Sequence, residues 1–266
     1  MDQGVATAPL LACRNVSKHF GALAAVNDLS FEVAPGEVLG IGGPNGAGKT
    51  TLFEVISGLN PASGGDIVFD GRPITRLSPE YICHAGIART FQLNAGFDSL
   101  TVRDNVLVAA YFGRRDRAVP TLRLDRATRA RADEALAFVG LAAKAGQVTG
   151  SLAVLDRKLL MLASAIATEP RLLLLDEPVG GLNPREIDHI MATVRSLRRL
   201  GLTVIVIEHV MRFLVQLASR VLIMHHGEKI YEGLPAGLVR DRTVIDVYLG
   251  VGASRRLQAL VEGGHG

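Results

Sequence analysis

Apolar positions in the first third of the chain alternate or fall in short blocks, those in the middle recur at helical spacing, and those in the last third return to short blocks. Residues 11–16 and 29–33 read as strands, with turn candidates at Gly21 and Asn27-Asp28 between them, which predicts a small antiparallel sheet. A short buried strand follows at 37–41 and a helix at 49–57. The breaker cluster at 60–65 leads into a strand at 66–69 and a turn at Asp70-Gly71. From 91 to 164 the chain is rich in Ala, Arg and Leu, with helical periodicity through 102–111, 126–139 and 156–166. The four leucines at 172–175 suit a strand buried on both faces of a parallel sheet. Pro184 opens a helix that runs to Leu200, Gly201 breaks it, and the strand at 203–207 completes a βαβ unit. Strands at 221–224 and 229–231 and a short helix through Tyr248 end the pattern. It predicts an α/β fold whose core, 1–90 and 165–250, is interrupted by a helical subdomain at 91–164, with 251–266 a flexible tail.

With 266 residues and 48% hydrophobic content, the chain can bury a sizeable core. The net charge of +3 is spread among interleaved acids and bases, so no nucleic-acid partner is expected. No secretion signal precedes the first strand and no apolar stretch reaches membrane-spanning length. Cys13 and Cys83 lack metal-binding spacing and read as packing residues in a reducing, cytoplasmic setting.

The chemistry concentrates in Gly43, Pro44, Asn45, Gly46, Ala47, Gly48, Lys49 and Thr50, which match G-x-x-x-x-G-K-[ST] between a strand and a helix. Glycines let consecutive backbone N–H groups turn toward phosphate oxygens, and the helix N-terminus adds its positive end. Lys49 is expected to reach the outer phosphates and Thr50 to offer its hydroxyl to Mg²⁺. The strand at 172–175 ends in Asp176-Glu177, two carboxylates at the C-terminal edge of a central strand, where open α/β sheets bind ligands. Asp176 is placed to hold Mg²⁺ and Glu177 to deprotonate an attacking water. The strand at 203–207 ends in Glu208-His209, so His209 is expected to sense or polarise the terminal phosphate.

These residues resemble the ATP-binding subunit of ATP-binding-cassette (ABC) transporters over nearly the whole chain, from Leu11 to Gly250. Phosphate loop, Q-loop residue Gln92, Asp176-Glu177-Pro178, the D-loop-like Gly181-Leu182-Asn183 and the switch His209 occur in the family's order. The resemblance implies a RecA-like P-loop core with an antiparallel β-subdomain and an inserted helical subdomain. It further implies ATP and Mg²⁺ as cofactors, Thr51 beside Thr50 in the nucleotide site, Gln92 on Mg²⁺ or the lytic water, and Phe20 stacked on adenine. Ala88-Arg89-Thr90-Phe91-Gln92, residues 101–106 and Tyr248-Leu249-Gly250 look most like the branched-chain amino acid importer subfamily. Membrane permeases, a second ATP-binding subunit and, indirectly, a periplasmic binding protein are the implied partners, with the chain peripheral on the cytoplasmic face. A regulatory ATP-binding module with little hydrolysis is the alternative.

One segment departs from the family. Where it has Leu-Ser-x-Gly-Gln, this chain has Leu152, Ala153, Val154, Leu155 and Asp156. Ala153 removes a hydroxyl, Leu155 adds bulk where backbone must approach phosphate, and Ser164 stands where arginine is usual. A bare Asp156 carboxylate 4 Å from a phosphate charge costs about 4 kcal/mol at an effective dielectric near 20. That exceeds the roughly 1.5 to 3 kcal/mol of one charge-assisted hydrogen bond. A slipped register using Ser151, or Asp156 capping its own helix, are the alternatives. The eroded signature suggests an asymmetric heterodimer. His225-His226 reads as a solvent turn and the arginines from 114 to 131 as a solvated helix face.

Overall fold

The computed structural model describes residues 8–90, 97–113 and 124–249. The chain runs through β1 (Leu11–Phe20), β2 (Leu23–Val33), β3 (Val38–Gly42), α1 (Lys49–Ile56), β4 (Gly64–Phe69), β5 (Arg72–Pro73), α2 (Pro79–Ala85) and β6 (Ile87–Arg89). Helices α3 (Val102–Phe112), α4 (Arg126–Phe138) and α5 (Val154–Ile166) follow, then β7 (Leu172–Asp176), α6 (Pro184–Arg199) and β8 (Thr203–Ile207). Helix α7 (Met211–Leu217), β9 (Arg220–His225), β10 (Glu228–Gly233) and α8 (Arg242–Val244) lead into a π-helical turn, Ile245–Leu249. The strands form an antiparallel sheet of order β2-β1-β4-β5 and a six-stranded sheet of order β10-β9-β3-β8-β7-β6, parallel except for β10.

Side-chain alternation divides the parallel sheet between two cores. Leu172 and Leu174, Ile205 and Ile207, Leu39 and Ile41 face α1 and the antiparallel sheet. Leu173 and Leu175, Val204 and Val206, Val221 and Ile223 face the helical side, where α3, α4, α5, α6 and α7 contribute their apolar faces. Both faces are therefore dry, which explains why these strands read as unbroken apolar runs. Gly40 and Gly42 sit opposite α7: a Cβ on Gly40 would lie 3.0 Å from Leu214 and 3.1 Å from Ala218. Their small size sets how closely α7 lies on β3.

Helix starts follow local chemistry where the sequence supplies it. Asn183 caps α6 by accepting from Arg185 and Glu186 N–H, and Glu186 bonds back to Asn183 N–H, completing a capping box ahead of Pro184. Thr101 caps α3 by accepting from Asp104 N–H, and Asp125 caps α4 by accepting from Thr128 N–H. The expected turn at Asn27-Asp28 is instead a bulge inside β2. Asn15 and Asp28 both take left-handed φ near 50°, and Asn15 Nδ2 donates to Asp28 Oδ1 at 2.8 Å. Both residue types tolerate that conformation, so the irregularity is absorbed as register shifts along β1 rather than as a chain reversal. The short elements α2, β6 and α7 carry too few residues for periodicity to announce them. Among the described residues no helix is long and apolar enough to cross a membrane.

Valine at Gly40 is expected to overpack the β3–α7 contact and lower the unfolding free energy by about 1–3 kcal/mol, read as a lower urea midpoint.

Candidate nucleotide-binding site

Three parallel strands end level with one another because of their register. Ile207 of β8 pairs with Ile41 of β3 on one side and Asp176 of β7 on the other. Glu177 N–H donates to Ile207 O at 3.0 Å and Glu208 N–H to Ile41 O at 3.2 Å. The phosphate loop, Asp176-Glu177 and Glu208-His209 therefore leave the sheet at one edge, as their positions after apolar strands predicted.

The loop is pinned on both flanks. Gly43 has φ 144° and Gly48, which caps α1, has φ 95°. A Cβ on Gly43 would fall 2.2 Å from Met224 O, and one on Gly48 1.9 Å from Ala25 O. Neither position admits a side chain, in conformation or in space. Gly227 N–H donates to Ala47 O at 3.1 Å, and Asn27 N–H donates to Gly227 O at 2.9 Å. His225-His226 thus belongs to the β9–β10 turn that braces the loop, and among the described residues no group of three or more His, Cys, Asp or Glu could cage a metal.

Lys49 is buried, and its Nζ donates to Gly43 O at 2.8 Å and Pro44 O at 2.9 Å, which carries the ammonium back over the loop. Burial lowers its pKa, opposed by the carboxylates of Glu177, Asp176 and Glu208. Those three acids from two other strands therefore lie within electrostatic reach of the loop lysine. Thr50 is exposed on the first turn of α1 and Thr51 half-buried.

Asp176 is buried and its Oδ2 accepts from Arg89 at 2.7 Å, with both side chains almost wholly covered. Its Oδ1 is buried without a hydrogen-bond partner. One carboxylate oxygen and the Thr50 hydroxyl make a sparse, hard-oxygen donor set, which fits Mg²⁺, an ion that keeps several waters. Glu177 takes a left-handed φ of 46°, which for a non-glycine residue costs about 1–3 kcal/mol. Its carbonyl accepts from Lys158 Nζ at 2.9 Å and from Gly180 N–H at 3.3 Å, and these bonds hold the turn. His209 Nδ1 lies 3.6 Å from Glu177 Oε1 and 3.7 Å from Glu208 Oε2, with the ring half exposed.

Phe20 is half exposed at the β1–β2 hairpin end, with Lys18 Nζ 4.9 Å from its ring centre. It pairs with Leu23, next to the rung of His19 and Ala24, and the following Ala25 carbonyl abuts Gly48. Gln92 lies outside the described residues. Arg89, Lys158, Glu208 and Tyr248 join the site without having been assigned roles from sequence. Tyr248 donates its hydroxyl to His209 O at 3.5 Å and faces the Gly43 amide. Burial raises its pKa above the usual range. Only charge at a strand end marked Glu208 beforehand.

A glycine loop feeding a helix, with acids at the ends of the next two strands on one side, β8 and β7, defines a P-loop ATPase domain. Sequence comparison resolves the class: the ABC transporter family model matches residues 26–180, and the chain belongs to that family as an ATP-binding cassette. It is 34% identical over 252 residues to the high-affinity branched-chain amino acid transport ATP-binding protein LivG of Salmonella typhimurium, covering 91% of this chain and 98% of the relative. BraF of Pseudomonas aeruginosa, with the same description, is 34% identical over 250 residues at the same coverage. Among solved structures, the ADP conformation of MJ1267, an ATP-binding cassette of an ABC transporter, superposes with a TM-score of 0.84 at 29% identity, over 92% of this chain and all of that one.

The departed signature segment opens α5. Ala153 occupies the N-cap with no side-chain bond, and the exposed Ser151 Oγ donates to Val148 O at 2.7 Å. Asp156 lies in the first turn instead of the cap position, and its carboxylate forms an ion pair with Lys144 and is mostly covered. The repulsion expected of a bare Asp156 is therefore corrected: its charge is compensated within the chain.

Replacing Arg89 by Ala should leave the Asp176 carboxylate buried and unpaired and lower the unfolding free energy by about 3–5 kcal/mol, measured by chemical denaturation.

Proposed function

We propose that this cassette powers a membrane importer for branched-chain or related amino acids, docked on permease subunits at the cytoplasmic face of the membrane and served indirectly by a periplasmic binding protein. The single observation that carries the hydrolytic reading is the convergence of the Lys49 loop, Glu177 and His209 at one sheet edge. The similarity to LivG and BraF along nearly the whole chain supports the substrate class.

In this reading the amides of residues 43–50 and the Lys49 ammonium receive the phosphates, with Thr51 following Thr50 at the start of α1. Thr50, Asp176 and Gln92 hold Mg²⁺, which when bound neutralises charge on the β- and γ-phosphates. Glu177, 3.6 Å from His209, takes the proton of the attacking water. His209, beside Glu177, contacts the γ-phosphate and reports its presence. Phe20 stacks on adenine from the hairpin end.

The chain's own α5 start lacks the serine hydroxyl and the small residue that grip a partner's γ-phosphate, and Val154 there is exposed. We infer that the working unit is a heterodimer in which this chain's phosphate loop meets an intact signature on a second cassette. The opposite site, closed by residues 152–156, is then the impaired one.

Glu177→Gln is expected to keep ATP binding and lower turnover by about 10²–10⁴-fold; wild-type turnover would overturn the base assignment. ATPase of this chain alone should be several-fold below that of a mixture with its candidate partner cassette. Equal and robust rates in both would overturn the asymmetry.

A further inference from the structure

We propose that Glu208 is a positioning residue for hydrolysis, its buried carboxylate clasping the backbone of the turn behind Glu177 and the backbone of the His209 switch at once. The inference rests on the roles proposed above for Glu177 and His209, and adds the device that holds them in mutual register.

Glu208 has no exposed surface. Its Oε1 accepts from Val179 N–H at 2.9 Å, and its Oε2 accepts from His209 N–H at 3.0 Å and Val210 N–H at 3.1 Å. The two bonds to His209 and Val210 are local and would serve an ordinary cap. The bond to Val179 is not local: it crosses from the end of β8 to the turn that leaves β7, two residues beyond Glu177. One carboxylate thus spans the base segment and the switch segment, while Glu177 Oε1 stands 3.6 Å from His209 Nδ1 above it.

Three converging donors demand an acceptor at both oxygens. A glutamine would turn an NH₂ toward an N–H, and a protonated acid would turn an O–H toward one. The position is expensive, because burial pushes the Glu208 carboxyl above its usual range despite the amide bonds and the nearby His209. Lys158 from α5, Lys49 from α1 and Tyr248 from the C-terminal turn face it as well. A carboxylate kept in a dry place, with its hydrogen-bonding capacity spent on the backbone of two segments, acts on their geometry. Lys158 reinforces the same turn through the Glu177 carbonyl.

The test compares Glu208→Gln and Glu208→Asp in the full-length chain purified with its transporter partners, with Glu177→Gln alongside. Aspartate keeps the charge and the local cap but is one methylene too short to reach Val179 as well. Both Glu208 variants are expected to lose at least about tenfold in kcat, while the ATP dissociation constant stays within about twofold. Wild-type kcat in Glu208→Asp would overturn the proposal, since the local cap alone would then suffice; so would a loss matched by equally weakened ATP binding. If Glu208→Gln does not fold, hydrogen exchange of the wild-type chain decides: the Val179 amide should exchange at least about tenfold more slowly than that of Gly181. Equal exchange would overturn the clasp. Loss of turnover in Glu177→Gln with a wild-type rate in Glu208→Asp sinks this inference alone. Undiminished turnover in Glu177→Gln removes the base reading and this one with it.

Discussion

The parallel register about Ile207 is the constraint on which the site depends. Ile207 does no chemistry, yet its pairing with Ile41 and Asp176 brings the phosphate loop, the Asp176-Glu177 turn and Glu208-His209 out of the sheet at one level. A sheet covered on both faces has no room for charge along its strands, so charge collects where they end. A slip by one residue would exchange the two cores and separate the three ends.

The resulting edge is close to electrically balanced. The carboxylates of Asp176, Glu177 and Glu208 are answered by Arg89, Lys49 and Lys158 from three different elements. Buried ions are tolerable only when paired or hydrogen-bonded, and here each is tied either to an opposite charge or to backbone. The arrangement also fixes direction: with Oδ2 of Asp176 taken by Arg89, only Oδ1 remains to act on a cation.

The signature segment follows a different logic. Its divergence leaves α5 starting on Ala153 with apolar neighbours, and Lys144 answers the charge of Asp156. The cost of the divergence is thus missing contacts, a hydroxyl and a close backbone approach, rather than repulsion of phosphate. The divergence of this segment lies at the start of α5 and leaves the phosphate loop, Asp176-Glu177 and Glu208-His209 together at the sheet edge.

Much of this was legible in the sequence. Period and breakers marked the longer strands of both sheets and the helical insertion, and the phosphate loop, Asp176-Glu177 and His209 were readable because each is a short motif placed just after an apolar strand. Asn27-Asp28 misled, because residues that favour turns also favour bulges and only strand pairing chooses between them. Arg89, Lys158, Glu208 and Tyr248 had no local signal that assigned them a task. What the sequence alone determined was therefore the periodicity of each element and the residue types at its ends, since both are properties of neighbours along the chain. The tertiary structure alone decided which ends meet: the Arg89–Asp176 pair, the Lys144–Asp156 pair and the Glu208–Val179 bond join distant segments, set by strand register and by how the helical layer packs.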